Sequence, residues 1–120
     1  MLYQKLGKDF VFEDERGSLV QLAHTGYQQV NVVTSKAGVL RGNHYHKQST
    51  EAFYVVSGRV EVTLSRGNEL EKIVFGCGEF FQISPYTVHS MYYPEDTILV
   101  ALYDIPIERE DGEKDIFTQE

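Results

Sequence analysis

The chain of 120 residues has little cysteine and no long hydrophobic run. Cys77 is its only cysteine, so no intrachain disulfide can form, which is typical of a protein from a reducing compartment. The longest apolar run, residues 98–103, is far too short to cross a membrane, and the first residues do not resemble a signal peptide. We therefore expect a cytoplasmic protein with no membrane partner.

Positive charge is scarce as well. The chain has 11 Lys and Arg against 18 Asp and Glu, which gives a formal net charge of -7. A nucleic-acid-binding surface needs a basic patch that displaces counterions, so the composition argues against a nucleic-acid partner. An anionic small molecule is not excluded, because a buried site can hold arginines whatever the overall charge is.

No part of the chain shows a sustained apolar stripe at helical spacing with caps at its ends. Short β-branched or aromatic segments recur instead, separated by glycine, proline or charged turns. These segments are 17–23, 29–35, 51–58, 59–65, 70–75, 79–84, 88–93 and 97–105. The pattern predicts one all-β sandwich or barrel domain over residues 1–105. The charged segment 106–120 is expected to be a poorly ordered C-terminal tail.

The stretch RGNHYHKQSTE, residues 41–51, holds two histidines one residue apart. Residues i and i+2 of a strand share a face, so His44 and His46 would project together. Alone, such a pair is more often two solvated or core histidines than a metal site. Two other residues favour a metal. Glu51 opens an otherwise apolar strand, where an unpaired carboxylate is costly, and His89 follows a turn that contains proline.

Three imidazoles and one carboxylate form a mixed nitrogen and oxygen ligand set. Such a set suits Zn, Fe, Mn, Ni or Co and does not choose among them. Four protein ligands would fill a tetrahedral zinc site, whereas an octahedral metal would keep two positions open.

Residues 38–58 resemble the first signature of the cupin superfamily, in which two glycines enclose an HxH pair and a glutamate at fixed spacing. The signature positions fall, without a gap, on Gly38, His44, His46, Glu51 and Gly58. The resemblance covers roughly residues 15–103 and implies a small double-sheet jelly-roll barrel. It also implies one divalent metal ion (Zn, Ni, Mn or Fe), held by His44, His46, Glu51 and His89.

The second cupin signature is only partly present. Gly78 and His89 stand at their places, whereas Ser84, Tyr86 and Tyr93 replace the usual proline, glycine and asparagine. The missing glycine implies a differently shaped turn before His89 and leaves the ligand itself in place.

Two stretches, DERGSL (14–19) and VLRGNHYH (39–46), resemble cupins that act on nucleotide-linked sugars. These are the dTDP-4-keto-6-deoxyhexose 3,5-epimerases, the 3,4-ketoisomerases and, closest by motif, the cupin domain of capsular-polysaccharide reductase/epimerases. In such enzymes the arginines of these motifs bind the nucleotide diphosphate, which implies that role for Arg16 and Arg41. A guanidinium fork matches phosphate oxygens in a bidentate manner.

The implied reaction is epimerisation or isomerisation of a UDP- or dTDP-linked 4-keto-6-deoxyhexose by proton abstraction next to the ketone. In the metal-free 3,5-epimerases the histidine that matches His44 is the general base, so His44 takes that role here if no metal binds. If His44 is a metal ligand, another group must move the proton. Among Tyr54, Lys47, Tyr86 and Tyr93, we favour Tyr86 and Tyr93 as catalytic because they lie nearest His89 in the chain.

Two other functions are compatible with the sequence. The ligand set also suits an iron-dependent dioxygenase, although both arginine motifs would then be unexplained. A free-standing domain without a reductase could instead be a non-catalytic module that binds a sugar or another small molecule.

We also expect a homodimer, in which early strands within residues 2–12 add to a neighbour's sheet and cover an open edge.

Overall fold

A computed structural model describes residues 1–119. Within this range the chain forms twelve β-strands, and no helix that could span a membrane is present. The strands are β1 (Tyr3–Lys5), β2 (Phe10–Asp14), β3 (Gly17–Gln21), β4 (Gln29–Ser35), β5 (Val39–Tyr45), β6 (Glu51–Ser57), β7 (Arg59–Arg66), β8 (Glu69–Gly76), β9 (Phe80–Ile83), β10 (Val88–Tyr93), β11 (Thr97–Tyr103) and β12 (Phe117–Thr118).

Two five-stranded antiparallel sheets form the body of the protein. The first has the strand order β1-β9-β6-β11-β4, and the second has the order β12-β5-β10-β7-β8. Strands that follow each other in the chain, such as β5 and β6 or β10 and β11, lie in opposite sheets, as in a jelly roll. The predicted all-β fold is confirmed, and each of the eight predicted segments overlaps a strand.

The core lies between the inner faces of the two sheets, and β7 shows how it is built. Val60, Val62 and Leu64 are buried, whereas Arg59 and Glu61 are exposed. This is the period-two alternation that the sequence RVEVTL predicts. Full burial of each aliphatic side chain contributes on the order of 1.5–3 kcal/mol of transfer free energy.

The chain crosses from the first sheet to the second at Gly58, between β6 and β7. Gly58 has a φ of 89°, in the left-handed region that strains other residues. A Cβ at this position would lie 2.4 Å from Thr97 Oγ1 and 2.5 Å from the carbonyl oxygen of Asp96. Only glycine therefore fits this turn, which accounts for the glycine that closes the HxH signature.

Residues near the N-terminus cover part of the outer face of the first sheet. β1 pairs with β9 at the edge of that sheet. A small outer cluster consists of Ala52, Phe80 and Leu102, with Leu6, Leu22 and Tyr27 packed against it. Between these covering residues, β2 and β3 form a separate two-stranded hairpin.

One face of this hairpin is apolar and open to solvent. Phe12 pairs with Leu19 across the two strands, so their side chains share a face, and Phe10 is two residues from Phe12 on the same face. The exposed fractions of Phe10, Phe12 and Leu19 are 50%, 53% and 54%. The hairpin therefore has an apolar face that its own chain does not cover.

The C-terminal segment packs against the barrel, so the expectation of a poorly ordered tail is wrong for residues 106–119. Ile107 and Asp115 are buried, and β12 pairs with β5. A bridge between Glu108 and Lys114 closes the turn that joins these anchors. The expectation failed because one apolar side chain and one buried carboxylate fix a segment whose other residues are charged.

Candidate metal and ligand site

A bulge in β5 turns functional side chains toward the barrel interior. His44 pairs with His89, and Arg41 pairs with the residue two places further along β10. The three residue intervals from Arg41 to His44 on β5 therefore lie opposite only two residue intervals on β10. Asn43, with a φ of 57°, lies in the part of β5 that contains the additional residue. A bulge shifts the alternation of faces by one residue. Arg41 and His44 therefore face the same side of β5 and line one cavity.

The inner side chains enclose a small cavity between the two sheets. Its volume is about 110 Å³. The polar side chains that line it are Arg41, His44, Glu51, His89 and Tyr93, and the rest of the wall is apolar. An apolar wall with a few convergent polar groups is typical of a small-molecule site.

His46, Glu51 and His89 form one buried group. Nε2 of His46 lies 2.9 Å from Oε1 of Glu51, and Nε2 of His89 lies 3.5 Å from the same oxygen. One ligand atom from each residue lies within 4.8 Å of the other two. The exposed fractions are 5%, 4% and 8%, and a carboxylate buried to this degree requires a proton-carrying or metallic partner.

The pKa values of the two imidazoles of this group are shifted in opposite directions. Burial acts to lower the pKa of His46, but the hydrogen bond and charge of Glu51, together with the carbonyl and charge of Asp115, outweigh it and raise that pKa. Burial dominates at His89 and lowers its pKa, despite the nearby carboxylate of Glu51. Of the two imidazoles, His46 is therefore the more easily protonated one, and it lies beside Glu51.

Tyr93 lines the cavity with its hydroxyl protonated. Burial raises its pKa, and this effect exceeds the lowering caused by the Ser35 hydroxyl and the charge of Arg41. The side chain is only 1% exposed. At neutral pH the phenol can therefore donate a proton or a hydrogen bond, but it cannot act as a base.

Tyr103 is a site residue that the sequence did not reveal. It pairs with Glu51 across β11 and β6, and its ring lies edge-on to His46 at 5.8 Å between ring centroids. Burial and then the Glu51 carboxylate raise the pKa of Tyr103 well above its usual range. The phenol therefore stays protonated beside Glu51. Its position depends on the register of two strands that are far apart in the chain.

Arg41 lies at the mouth of the cavity. Its Nε donates to Ser35 Oγ at 3.0 Å, and its Nη2 donates to the carbonyl oxygen of Thr34 at 3.1 Å. The residue is exposed although it lines the cavity. A guanidinium has five N–H donors, so this one is held by β4 and keeps donors for an anion.

The structure brings together three of the four predicted metal ligands, namely His46, Glu51 and His89. His44 lines the same cavity opposite His89, but it is not part of the group whose ligand atoms lie within 4.8 Å of one another. A ligand role for His44 therefore stays a prediction.

Tyr86 does not line the cavity, contrary to the placement expected from its nearness to His89 in the chain. Its side chain is 51% exposed and stacks on Tyr45 at 6.4 Å in a groove on the outer surface. The cause is the local backbone: Tyr86 has a φ of 66°, and its N–H donates to the carbonyl oxygen of His46. Reasoning from chain distance failed because this turn directs the side chain outward.

Arg16 also lies away from the cavity of its own chain. It is exposed in the turn between β2 and β3, and its Nη2 pairs with Asp14 Oδ2 at 2.5 Å.

Tyr54 packs near the outer cluster of the first sheet, and Lys47 lies over the ring of Phe117. Among the tyrosines and the lysine considered as proton donors or acceptors, only Tyr93 lines the cavity.

The donor set fits a divalent metal ion. Two imidazoles and a carboxylate in one buried group suit Zn, Ni, Mn or Fe, and three protein ligands leave a coordination position open. Nδ1 of His46 donates to the carbonyl oxygen of Asp115 at 2.7 Å, an outer contact of the kind that orients metal-binding histidines. His46, Glu51 and His89 are therefore the residues that could hold a metal.

The two sheets form a jelly-roll barrel, and the glutamate of the first signature is buried between them. A family model described as "Polysaccharide biosynthesis C-terminal domain" matches residues 12–102. The chain belongs to that family. No curated protein matches the chain.

Several solved structures share the fold. A dTDP sugar isomerase from Desulfovibrio desulfuricans has a TM-score of 0.81 and 14% identity, covering 98% of this chain and 83% of the other. The 3,4-ketoisomerase QdtA from Thermoanaerobacterium thermosaccharolyticum, in complex with TDP, has a TM-score of 0.75 and 19% identity, covering 98% and 86%. A dTDP-4-dehydrorhamnose 3,5-epimerase from Sulfolobus tokodaii has a TM-score of 0.69 and 21% identity, covering 86% and 75%.

Proposed function

We propose that the chain binds a UDP- or dTDP-linked 4-keto-6-deoxyhexose and epimerises or isomerises it by removing a proton next to the ketone. The observation that carries this proposal is the convergence of Arg41, His44 and Tyr93 on one cavity beside the buried His46–Glu51–His89 group. Support also comes from the fold, which the chain shares with a sugar isomerase, a ketoisomerase and an epimerase of nucleotide-linked sugars.

The size of the cavity limits how such a ligand could bind. Sites that enclose a whole drug-sized ligand have volumes of roughly 300–1,000 Å³, and this cavity has about 110 Å³. Only the reacting part of the sugar fits inside, so the nucleotide lies across the mouth. Arg41 is exposed there with free donors, and a guanidinium binds diphosphate oxygens in a bidentate manner.

Proton abstraction next to a ketone requires a base, a proton donor and stabilisation of the enolate oxygen. We assign the base to His44, because it lines the cavity and is not part of the three-residue metal group. The protonated Tyr93 hydroxyl is assigned as the donor. When bound to His46, Glu51 and His89, a divalent metal supplies Lewis-acid polarisation of the keto oxygen.

The proposal includes a homodimer formed through the β2–β3 hairpin. The apolar face of the hairpin is open, and Val30 and Val32 on the edge strand β4 are 60% and 69% exposed. An unpaired edge and an apolar face of this kind are typically covered by a partner. Arg16 is exposed at the tip of this hairpin, and its predicted diphosphate contact would then be to a ligand in the cavity of the second copy.

Deuterium exchange tests the reaction. The protein is incubated in D₂O with UDP- and dTDP-linked 4-keto-6-deoxyhexoses, and NMR follows incorporation at the carbons next to the ketone. We expect incorporation by the wild type, a loss of about 10²–10⁴-fold in His44→Gln, and no change in Tyr86→Phe, whose ring lies outside the cavity. Binding without exchange in the wild type would identify a binding module instead, and oxygen uptake with iron would identify a dioxygenase.

Nucleotide binding is tested separately by calorimetry with UDP and dTDP. Arg41→Ala should weaken binding about tenfold or more, because it removes a charge-assisted contact to phosphate, and its metal content should equal that of the wild type. Arg59→Ala is the matched control, since Arg59 is exposed and pairs with Glu95 at 3.9 Å away from the cavity. Equal binding by the wild type and Arg41→Ala would remove the basis for a nucleotide-sugar ligand.

A further inference from the structure

The C-terminal segment, residues 106–119, lies outside the range that the family model matches, which ends at residue 102. It nevertheless contacts β5, the strand that carries His44 and ends one residue before His46. β12 pairs with β5 through Phe117–Tyr45 and Thr118–His44. The segment therefore runs along the edge of β5, next to the candidate site.

Asp115 anchors this segment to the loop between the HxH pair and Glu51. Its carboxylate accepts hydrogen bonds from the backbone N–H groups of Lys47, Gln48 and Ser49 at 2.8, 3.0 and 2.9 Å, and the residue is 4% exposed. Hydrogen bonds to a charged acceptor are roughly twice as strong as those between neutral groups. The shape of the loop therefore depends on a carboxylate that the C-terminal segment supplies.

The main chain of the same residue holds His46. The carbonyl oxygen of Asp115 lies 2.7 Å from Nδ1 of His46. A carbonyl oxygen can only accept, so Nδ1 must carry a hydrogen. The other ring nitrogen, Nε2, is then directed at Glu51 Oε1, 2.9 Å away. One contact thus fixes the orientation of the imidazole and keeps a hydrogen on Nδ1, so Nε2 is the nitrogen that faces Glu51.

We propose that Asp115 is a positioning residue of the site. Its carboxylate holds the C-terminal segment on the loop, and its carbonyl fixes His46 with Nε2 turned toward Glu51. The consequence for metal binding rests on the proposed function, in which His46 is a ligand. The orientation of His46 does not depend on that function.

The aromatic contacts of β12 offer a second way to loosen the segment. Phe117 stacks on Tyr45 at 5.5 Å between ring centroids, and Nζ of Lys47 lies 4.2 Å from the Phe117 ring centre. Neither contact involves His46 or the Asp115 carboxylate. Phe117→Ala should therefore weaken the attachment of the segment and leave the hydrogen-bonding groups of Asp115 intact.

The first test is NMR spectroscopy of histidine ring nitrogens in the full chain, with His46→Gln used to assign the signal. We expect a slowly exchanging Nδ1–H of His46 in the wild type, with and without Zn²⁺. The signal should be lost or exchange rapidly in Asp115→Ala and be partly retained in Asp115→Asn, whose amide can accept some of the three hydrogen bonds. The matched control is Asp111→Ala, because that carboxylate is exposed and accepts only from the N–H of Glu113 within the turn.

The second test is Zn²⁺ affinity measured by competition with a chromophoric chelator. We expect affinity about 10–100-fold lower in Asp115→Ala, the usual result of removing an outer contact to a ligand histidine. A smaller loss is expected in Phe117→Ala and none in Asp111→Ala. Wild-type affinity in Asp115→Ala, with the His46 signal unchanged, would overturn the proposal.

The two tests separate this inference from the proposed function. If the wild type binds no metal, the metal part of the proposed function fails, and the NMR signal alone decides the role of Asp115. If Asp115→Ala does not fold, the wild-type signal and Phe117→Ala decide it. A wild-type His46 that carries no slowly exchanging Nδ1–H would contradict the inference directly.

Discussion

The barrel interior and the β2–β3 hairpin place the same kinds of residues in opposite surroundings. In the interior, the Glu51 carboxylate is 4% exposed and lies against two imidazoles. Next to the hairpin, the Asp9 carboxylate accepts from His24 at 2.5 Å on the open surface. Leu64 is fully buried between the sheets, whereas Leu19 on the hairpin is 54% exposed.

This contrast shows which residues can complete a site within one chain. Charges in the interior are screened little, so removing one partner of a pair leaves a costly unpaired charge, whereas exposed pairs contribute about 0–1 kcal/mol. The interior groups therefore determine one another's charge and orientation. The charged groups in and beside the hairpin pair only with side chains close to them. The apolar face of the hairpin can be covered only by another molecule.

The largest expected difference between the two regions is in packing. Leu64→Ala should lower the free energy of unfolding by about 2–5 kcal/mol, because it leaves a cavity in a closed core. Leu19→Ala should change that free energy by at most about 0.5 kcal/mol when the protein is dilute enough to be monomeric. Urea unfolding at low protein concentration measures both. Similar losses in the two variants would show that the hairpin belongs to the core.

Metal affinity should depend on the carboxylate in the barrel interior and not on a carboxylate of the hairpin. Glu51→Gln keeps the shape of the side chain but removes a buried anionic ligand, so Zn²⁺ affinity should fall by about a hundredfold or more, beyond the 10–100-fold typical of outer contacts. Glu13→Gln is the matched control, because Glu13 is exposed on the hairpin. Chelator competition gives both affinities. An affinity for Zn²⁺ unaffected by Glu51→Gln would place the metal elsewhere.

The oligomeric state tests whether the exposed apolar face of the hairpin is a dimer interface. Phe12→Ser removes an aromatic side chain that is 53% exposed, and the proposed dimer should dissociate at a concentration about tenfold or more above that of the wild type. Tyr86→Ser, a loss of similar size at another exposed aromatic, should leave the dimer unchanged. Light scattering over a dilution series measures both. A wild type that is monomeric at every concentration would end the proposal of a hairpin interface.

The sequence predicted the parts of the molecule that depend on local spacing. The alternation in RVEVTL requires only neighbouring residues on one strand, and this prediction agrees with the structure. The inward placement of Arg41 has a less local cause, since it requires the bulge at Asn43. Its motif implied a binding role, but no period-two pattern would have placed it beside His44.

The sequence did not reveal contacts between distant segments. Tyr103 lies opposite Glu51 because β11 and β6 pair in one particular register. Asp115 contacts His46 because the C-terminal segment folds back onto the barrel. Tyr86 shows the opposite error, since it is close to His89 in the chain but turned to the outer surface. One buried carboxylate with three backbone donors was enough to order a segment whose composition indicated a tail.

The smallest expected effect concerns the surface pair beside the hairpin. The hydrogen bond from His24, followed by that from Gln21, holds the pKa of the Asp9 carboxyl below its usual range. A carboxyl whose folded pKa is lowered stabilises the protein at higher pH, and this contribution is lost as the pH falls through the lowered pKa. His24→Ala should therefore return the pKa of Asp9 toward its usual range and weaken the protein slightly on the alkaline side of that titration.

Carbon-detected NMR of the Asp9 carboxyl measures this titration, and added salt should reduce the difference between the wild type and His24→Ala, because exposed charges are screened. The buried His46–Glu51 pair should respond far less to salt. If salt affected both pairs equally, the interior would be as open to solvent as the hairpin, and the distinction between the two regions would not hold.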